Sequence, residues 1–317
     1  MRLKLVALGV IALIALAVLT VSVRRSPPIV RFGCQTVVGD ALCIVAVEKD
    51  LFKEEGLAVR ASRFTSGPAC AEALYSGSVD VATMGDTTAV IALSRGDRHQ
   101  IIASHGRGEH RHRIMVPASS ALKAPTDLAG TRLAVKKGTS THGGLLLFFD
   151  KHGLDPKSLT LIDMRPEDMP EALLAGSIDA MVASEPIPSI AEVKGARELS
   201  TLGGLGNCYP LLIVARRDWL AKKPGEAKRF LEALRKAEQF VENSPKETAA
   251  ILSRISRLPQ DSAERAMSRH TYRLAIDQSI RESLARTAQF LHSQKTIDSV
   301  PDIQKVLDTS WMPAKQD

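Results

Sequence analysis

A ten-residue segment recurs along this chain, and that recurrence constrains the fold more than any other feature. Residues 72–81 read EALYSGSVDV and residues 171–180 read EALLAGSIDA, identical at six of ten positions and 99 residues apart. Each copy ends a helical stretch, turns at a glycine (Gly77, Gly176) able to take the left-handed conformation, and enters a short β-rich run. Two such steps, each within its own alternation of strand and helix, predict two units of similar build with a cleft between them. A length of 317 residues accommodates them, because a single core stops growing near about 250–300 residues.

The surrounding pattern agrees. In the first half, strands are expected at residues 29–34, 57–64, 79–84 and 101–104, and helices at 40–54, 68–76 and 87–94. Gly56 is the expected stop of the first helix. After Pro117 the alternation resumes, with strands at 132–135, 159–164 and 180–182 and helices at 139–152 and 167–175. Another apolar strand covers 210–215. Beyond Pro224 the chain turns helical, with one apolar stripe at Phe230, Leu231, Leu234, Ala237 and Val241 and another at Leu284, Ala288 and Leu291. Strands joined by helices on short loops mean an α/β class.

Charge narrows the function. The formal net charge is +7, but residues 1–25 hold Arg2, Lys4, Arg24 and Arg25 and no acid, which leaves +3 on the rest. No nucleic-acid motif accompanies that mild excess, so no nucleic-acid partner is expected. Residues 5–23 carry no charge and follow a basic start. This reads as a signal peptide or an N-terminal membrane anchor over residues 1–25, with the folded body outside the cytoplasm. Cys34, Cys43, Cys70 and Cys208 match no zinc spacing and are read as free or singly paired structural thiols; no metal and no cofactor are expected. The segment 105–113, HGRGEHRHR, is expected to be a solvated crossover loop, the alternative being a cationic rim that attracts anions or a metal.

At the level of motifs the chain resembles the nitrate/sulfonate/taurine-type substrate-binding proteins of ABC importers. AVEKDLFKEEGL (46–57) is similar to their opening helix, turn and strand, LYSGSVDVA (74–82) to their next signature, and TDLAGTRLAV with KGTS (126–135, 137–140) to the start of their second lobe. The similarity runs over residues 29–250. It implies a two-lobed, type-II periplasmic-binding-protein-like α/β fold, with mixed sheets, helices on both faces and a two-strand hinge. Lobe 1 would comprise residues 29–115 and 210–317, including a helical C-terminal tail, and lobe 2 residues 116–209. The implied function is extracytoplasmic capture of a small anion, such as an alkanesulfonate, taurine or nitrate, by hinge closure. The implied partner is an ABC permease in the membrane, and the chain would act as a monomer in the periplasm or at the outer membrane face.

Ligands of open α/β sheets sit beyond the carboxyl ends of strands. Those ends nominate Gln35 and Thr36, Ser66 and Gly67, Asp86 and Thr87, Gly138, Thr139 and Ser140 with His142, and Glu185. Asn207 and Tyr209 on the second crossover join them. Hydroxyl- and glycine-rich helix starts offer unpaired N–H groups and partial positive charge to an oxyanion. No nucleophile–base pair is evident, so no catalytic residue is named. The competing readings are a thiamine-pyrimidine-precursor binding protein or related enzyme of the same fold, and a membrane-anchored sensory module.

Overall fold

The computed structural model describes residues 29–313; the expected leader or anchor over residues 1–25 lies outside the described residues. Among the described residues no helix is long and apolar enough to cross a membrane. The strands are β1 (Ile29–Gln35), β2 (Ala58–Phe64), β3 (Val81–Gly85), β4 (His99–Gly106), β5 (His112–Pro117), β6 (Arg132–Val135), β7 (Thr160–Asp163), β8 (Ala180–Ser184), β9 (Ala196–Thr201) and β10 (Leu211–Arg216). They form two five-stranded sheets, ordered β2-β1-β3-β10-β4 and β7-β6-β8-β5-β9. The α/β class with mixed sheets and helices on both faces is the one expected.

The two sheets are copies of one plan. β1 pairs in parallel with β2 and β3, as β6 does with β7 and β8. In each sheet one strand runs antiparallel to both its neighbours, β10 between β3 and β4, and β5 between β8 and β9. Each of these is the first strand after the chain crosses from the other sheet. The sequence repeat sits at equivalent places, leading into β3 and β8. Arg31 Nε donates to Asp80 at 3.0 Å and Arg31 Nη1 to the Gly77 carbonyl at 2.6 Å; Arg132 makes the same two contacts with Asp179 at 3.0 Å and the Gly176 carbonyl at 2.7 Å. Gly77 and Gly176 have φ of 73° and 69°, where a side chain would be strained. The repeated Asp and Gly therefore tie the end of one helix to the first strand of its own sheet.

Each sheet is covered on both faces. Phe32, Phe52 and Phe230 pack on one side of the first sheet, with the Phe32 and Phe230 rings edge to face at 5.0 Å; Leu74, Met84, Leu212 and Leu284 fill the other. In the second sheet, successive residues of β5 point to opposite cores: Ile114 joins Leu133, Phe148 and Phe149, and Met115 joins Met169 and Met181. The helices Pro224–Asn243 and Gln278–Ser293 bury their apolar stripes against the two faces of the first sheet. Each large side chain so buried contributes about 1.5–3 kcal/mol.

Three local readings are corrected. The expected helix over 40–54 is two helices, Ala41–Glu48 and Leu51–Glu54, because Asp50 takes φ 56° between them. The helix Ile187–Val193 and strand β9 were not foreseen. Most consequential is the segment expected to be a solvated loop. His105 ends 0% exposed, Arg111 2%, His112 1% and Arg113 2%, because His105 belongs to β4 in the first sheet and residues 112–117 form β5 inside the second. The expected lobe boundary at 115/116 thus falls within a strand; the chain leaves the first sheet at Gly106 and enters the second at His112.

Candidate ligand-binding cleft

Between the sheets lies a cavity of about 120 Å³, walled by both. The first sheet supplies the end of β1 and the residues after it (Gln35, Thr36, Val37), the loop after β2 (Thr65, Ser66, Gly67), Gly85 at the end of β3, and Thr88. The second supplies Arg111 and His112 at the start of β5, Lys136 after β6, the helix start Thr139, Ser140 and Thr141, and Ser184 with Pro186 and Ile187 after β8. These are carboxyl ends of parallel strands, or the amino end of an antiparallel one, so the sheet plan itself brings them together.

Three helices of at least nine residues begin at this cavity: Gly67–Tyr75, Asp86–Ser94 and Ser140–His152. Their first turns present unpaired N–H groups and the positive ends of their dipoles. Thr139 Oγ1 already accepts the His142 N–H at 3.2 Å and serves as an N-cap, whereas the buried Ser140 hydroxyl has no hydrogen-bond partner among the described residues. The walls approach closely here. Thr88 Oγ1 donates to the Gly138 carbonyl at 2.8 Å across the cleft, and a Cβ on Gly85 would lie 2.0 Å from Ser140 Oγ.

Arg111 is the dominant charge. Its Nη1 donates to Ser184 Oγ at 2.8 Å and Nη2 to the Tyr209 carbonyl at 3.3 Å. Burial pushes the guanidinium down to about 10, while Asp86 and Asp40 act to hold its proton, so it stays cationic at neutral pH. His112 is neutral, driven well below its ordinary value by burial and then by Arg111, and its Nδ1 lies 2.8 Å from Thr141 Oγ1. Lys136 reaches both oxygens of Asp163 at 3.2 Å, and Glu167 adds a single acid to the wall. Val37, Met169, Val182, Ala183, Ile187 and Leu211 make the remainder apolar. A buried cation, helix starts and an apolar flank can hold a small anion carrying a short hydrocarbon part.

Of the residues nominated from sequence, Gln35, Thr36, Ser66, Gly67, Thr139 and Ser140 line this cavity. The others do not. Asp86 is buried and accepts from Asn207 Nδ2 at 2.8 Å and from Thr287 Oγ1 at 3.2 Å, so the two nominated residues bond to each other and to the helix Gln278–Ser293. Thr87 packs on Gly143, where a Cβ would come within 2.3 Å of its Oγ1. Gly138 contributes its carbonyl to Thr88, and His142 Nδ1 accepts the Gly138 N–H at 3.4 Å. Glu185 is fully buried against Arg113 at 3.1 Å. Tyr209 spends its hydroxyl on the Leu202 carbonyl at 2.7 Å.

Arg111, His112 and Lys136 were not nominated. The signal for the first two was available: the apolar run at 114–116 makes a strand, and the cations before it stand at its inward end.

Comparison with known proteins follows the same lines. The chain is similar to the putative aliphatic sulfonates-binding protein of Bacillus subtilis (strain 168), 27% identical over 290 residues, covering 89% of this chain and 86% of that one. It is similar to the taurine-binding periplasmic protein of Escherichia coli (strain K12), 24% identical over 271 residues, covering 81% and 84%. Its fold superposes on the alkanesulfonate-binding protein SsuA from Xanthomonas axonopodis pv. citri bound to MOPS with a TM-score of 0.82, at 23% identity, covering 90% of this chain and 99% of that one. The model of the NMT1-like family matches residues 25–256, and the chain belongs to that family.

Proposed function

We propose that this chain is the extracytoplasmic solute-binding component of an ABC importer, taking up a small organic sulfonate or similar oxyanion in the interlobe cleft. The observation that carries this reading is Arg111, a buried guanidinium in a cavity onto which three helix starts converge. A tetrahedral oxyanion matches that set of donors. The apolar flank suits a short aliphatic chain, and Glu167 offers a partner to the ammonium of a zwitterion such as taurine. The cavity lining holds no Phe, Tyr or Trp, which favours such ligands over the flat ring of a thiamine-pyrimidine precursor. The sulfonate-binding and taurine-binding relatives support the same class.

In this reading the two crossovers act as a hinge, the Thr88–Gly138 contact forms on closure, and the closed form meets a membrane permease. The chain works outside the cytoplasm, as a monomer, with residues 5–23 as leader or anchor, and it performs no chemistry on the ligand. The test is a thermal-shift panel on the full chain with alkanesulfonates, taurine, MOPS, nitrate, phosphonates and thiamine-pyrimidine precursors, each followed for consumption. A sulfonate at one hundred times its dissociation constant stabilises by about 2.7 kcal/mol. Stabilisation by the pyrimidine precursors alone, or by nothing in the panel, overturns the ligand class; consumption of the bound compound overturns the non-catalytic reading.

A further inference from the structure

Below the floor of the cleft lies a cluster of polar groups that anion binding does not use. Asp40 closes the turn Val38–Asp40, Cys43 follows on the first turn of the helix Ala41–Glu48, and His105 stands near the end of β4. All three are fully buried. One donor atom from each, a carboxylate oxygen, the thiol sulfur and an imidazole nitrogen, lies within 4.8 Å of the other two. Asp40 Oδ2 accepts the Gln35 N–H at 2.9 Å and the Thr83 hydroxyl. Its Oδ1 has no hydrogen-bond partner and stands 3.8 Å from His105 Nε2, and neither ring nitrogen of His105 has a partner among the described residues. Buried side-chain polar atoms are rarely left so.

We propose that Asp40, Cys43 and His105 form a buried site for a divalent transition-metal ion, with zinc as the best fit. Carboxylate, thiolate and imidazole are the donors zinc accepts, at about 2.0–2.2, 2.3 and 2.0–2.1 Å. Two ligands of one such ion stand roughly 3.3–3.8 Å apart in a tetrahedron, so these groups need draw in by only about an ångström. Magnesium and calcium take oxygen ligands and would leave the sulfur and nitrogen unused. The charges also match, since a carboxylate and a thiolate neutralise a divalent ion inside an apolar core. Three protein ligands leave a fourth position for a further donor. No sequence spacing signals such a site, because Asp40 and Cys43 share one helix start while His105 comes from a strand of the same sheet more than sixty residues later. Gln35 lines the cleft and its N–H holds Asp40, so an ion here would stiffen the cleft floor without touching the ligand.

The experiment uses the full chain, reduced and purified without chelator. Saturation with zinc followed by desalting is expected to leave one equivalent by elemental analysis. Replacement by cobalt(II) is expected to give a thiolate-to-cobalt charge-transfer band in the near ultraviolet. Cys43→Ala, which barely changes core volume, is expected to abolish that band and His105→Gln to weaken metal retention at least tenfold, whereas Cys208→Ala leaves both unchanged. Circular dichroism of each variant reports its fold, and the wild-type spectrum decides without any variant. Metal far below one equivalent, bound cobalt without a thiolate band, or a band that survives Cys43→Ala overturns the site; a buried water then satisfies Asp40 and His105.

Discussion

Replacing Arg111 by methionine separates a buried charge from a surface one in the same cavity. Methionine retains most of the side chain's bulk and removes the guanidinium that meets Ser184 Oγ and the Tyr209 carbonyl. A hydrogen bond to a charged group contributes about 1.5–3 kcal/mol. The direct attraction of two unit charges about 4 Å apart is about 4 kcal/mol at the effective dielectric of a protein site. Arg111→Met is therefore expected to weaken a sulfonate by about 2–4 kcal/mol, roughly 30- to 800-fold. Lys136 lines the same cavity, but its side chain is 29% exposed and already engaged with Asp163, so Lys136→Met should cost about 0.2–1 kcal/mol, at most roughly fivefold. Isothermal titration calorimetry with the tightest sulfonate of the panel measures both. A neutral sulfone of the same carbon skeleton is the control, because its affinity should change far less in Arg111→Met. Losses of equal size in the two variants, or an Arg111→Met loss below about threefold in a folded protein, would refute the assignment of the anion to the buried cation.

Two further outcomes follow from the same network. Arg113 meets Glu185, Glu192 and Glu198 with 3% of its side chain exposed. Arg113→Met leaves fully buried Glu185 with the Ser189 N–H at 3.3 Å, the Ser189 hydroxyl and Arg269 at 3.9 Å but no close cation, so it should destabilise by about 3–5 kcal/mol in urea unfolding. Adding Glu185→Gln should recover much of that, and a single-variant loss under about 1 kcal/mol contradicts the argument. His112 is held neutral in the fold, whereas the unfolded chain binds its proton below about pH 6.5. Its share of stability is thus complete above that pH and falls by about 1.4 kcal/mol per unit on acidification. The stability–pH slope of His112→Gln should be smaller by one proton between about pH 6 and 5, and an unchanged slope refutes the buried neutral imidazole.

The interlobe contacts connect this chemistry to the architecture. Arg111 and His112 enter the second sheet as the first residues after a crossover, and Tyr209, whose carbonyl Arg111 holds, ends the other crossover. The cation that faces the cavity is therefore fastened to both connecting segments. Arg269 extends the same coupling from the C-terminal region to Glu198 at 3.1 Å. A change in the angle between the sheets must move these groups together, and this is the physical link between the proposed ligand and the proposed hinge.

Local patterns in the chain were enough to establish the two-unit plan. The repeat at 72–81 and 171–180 encodes a helix end, a positive-φ glycine and an Asp that closes on an Arg of the neighbouring strand, all interactions set within one unit. The same patterns placed Gln35, Ser66, Gly67, Thr139 and Ser140 at strand ends and helix starts, and so near the cavity. Only the tertiary structure decided the fate of Asp86, Glu185, Asn207 and Tyr209, because whether a polar side chain turns to the cleft or into a crossover depends on a partner distant in sequence, such as Thr287 for Asp86 or Arg113 for Glu185. It likewise decided HGRGEHRHR. Charge in a sequence reads as solvent exposure because burying an unpaired ion is costly. Here the partners of Arg113 come from residues 185–198, and those of Arg111 from Ser184 and Tyr209. No local pattern in the segment itself could announce them.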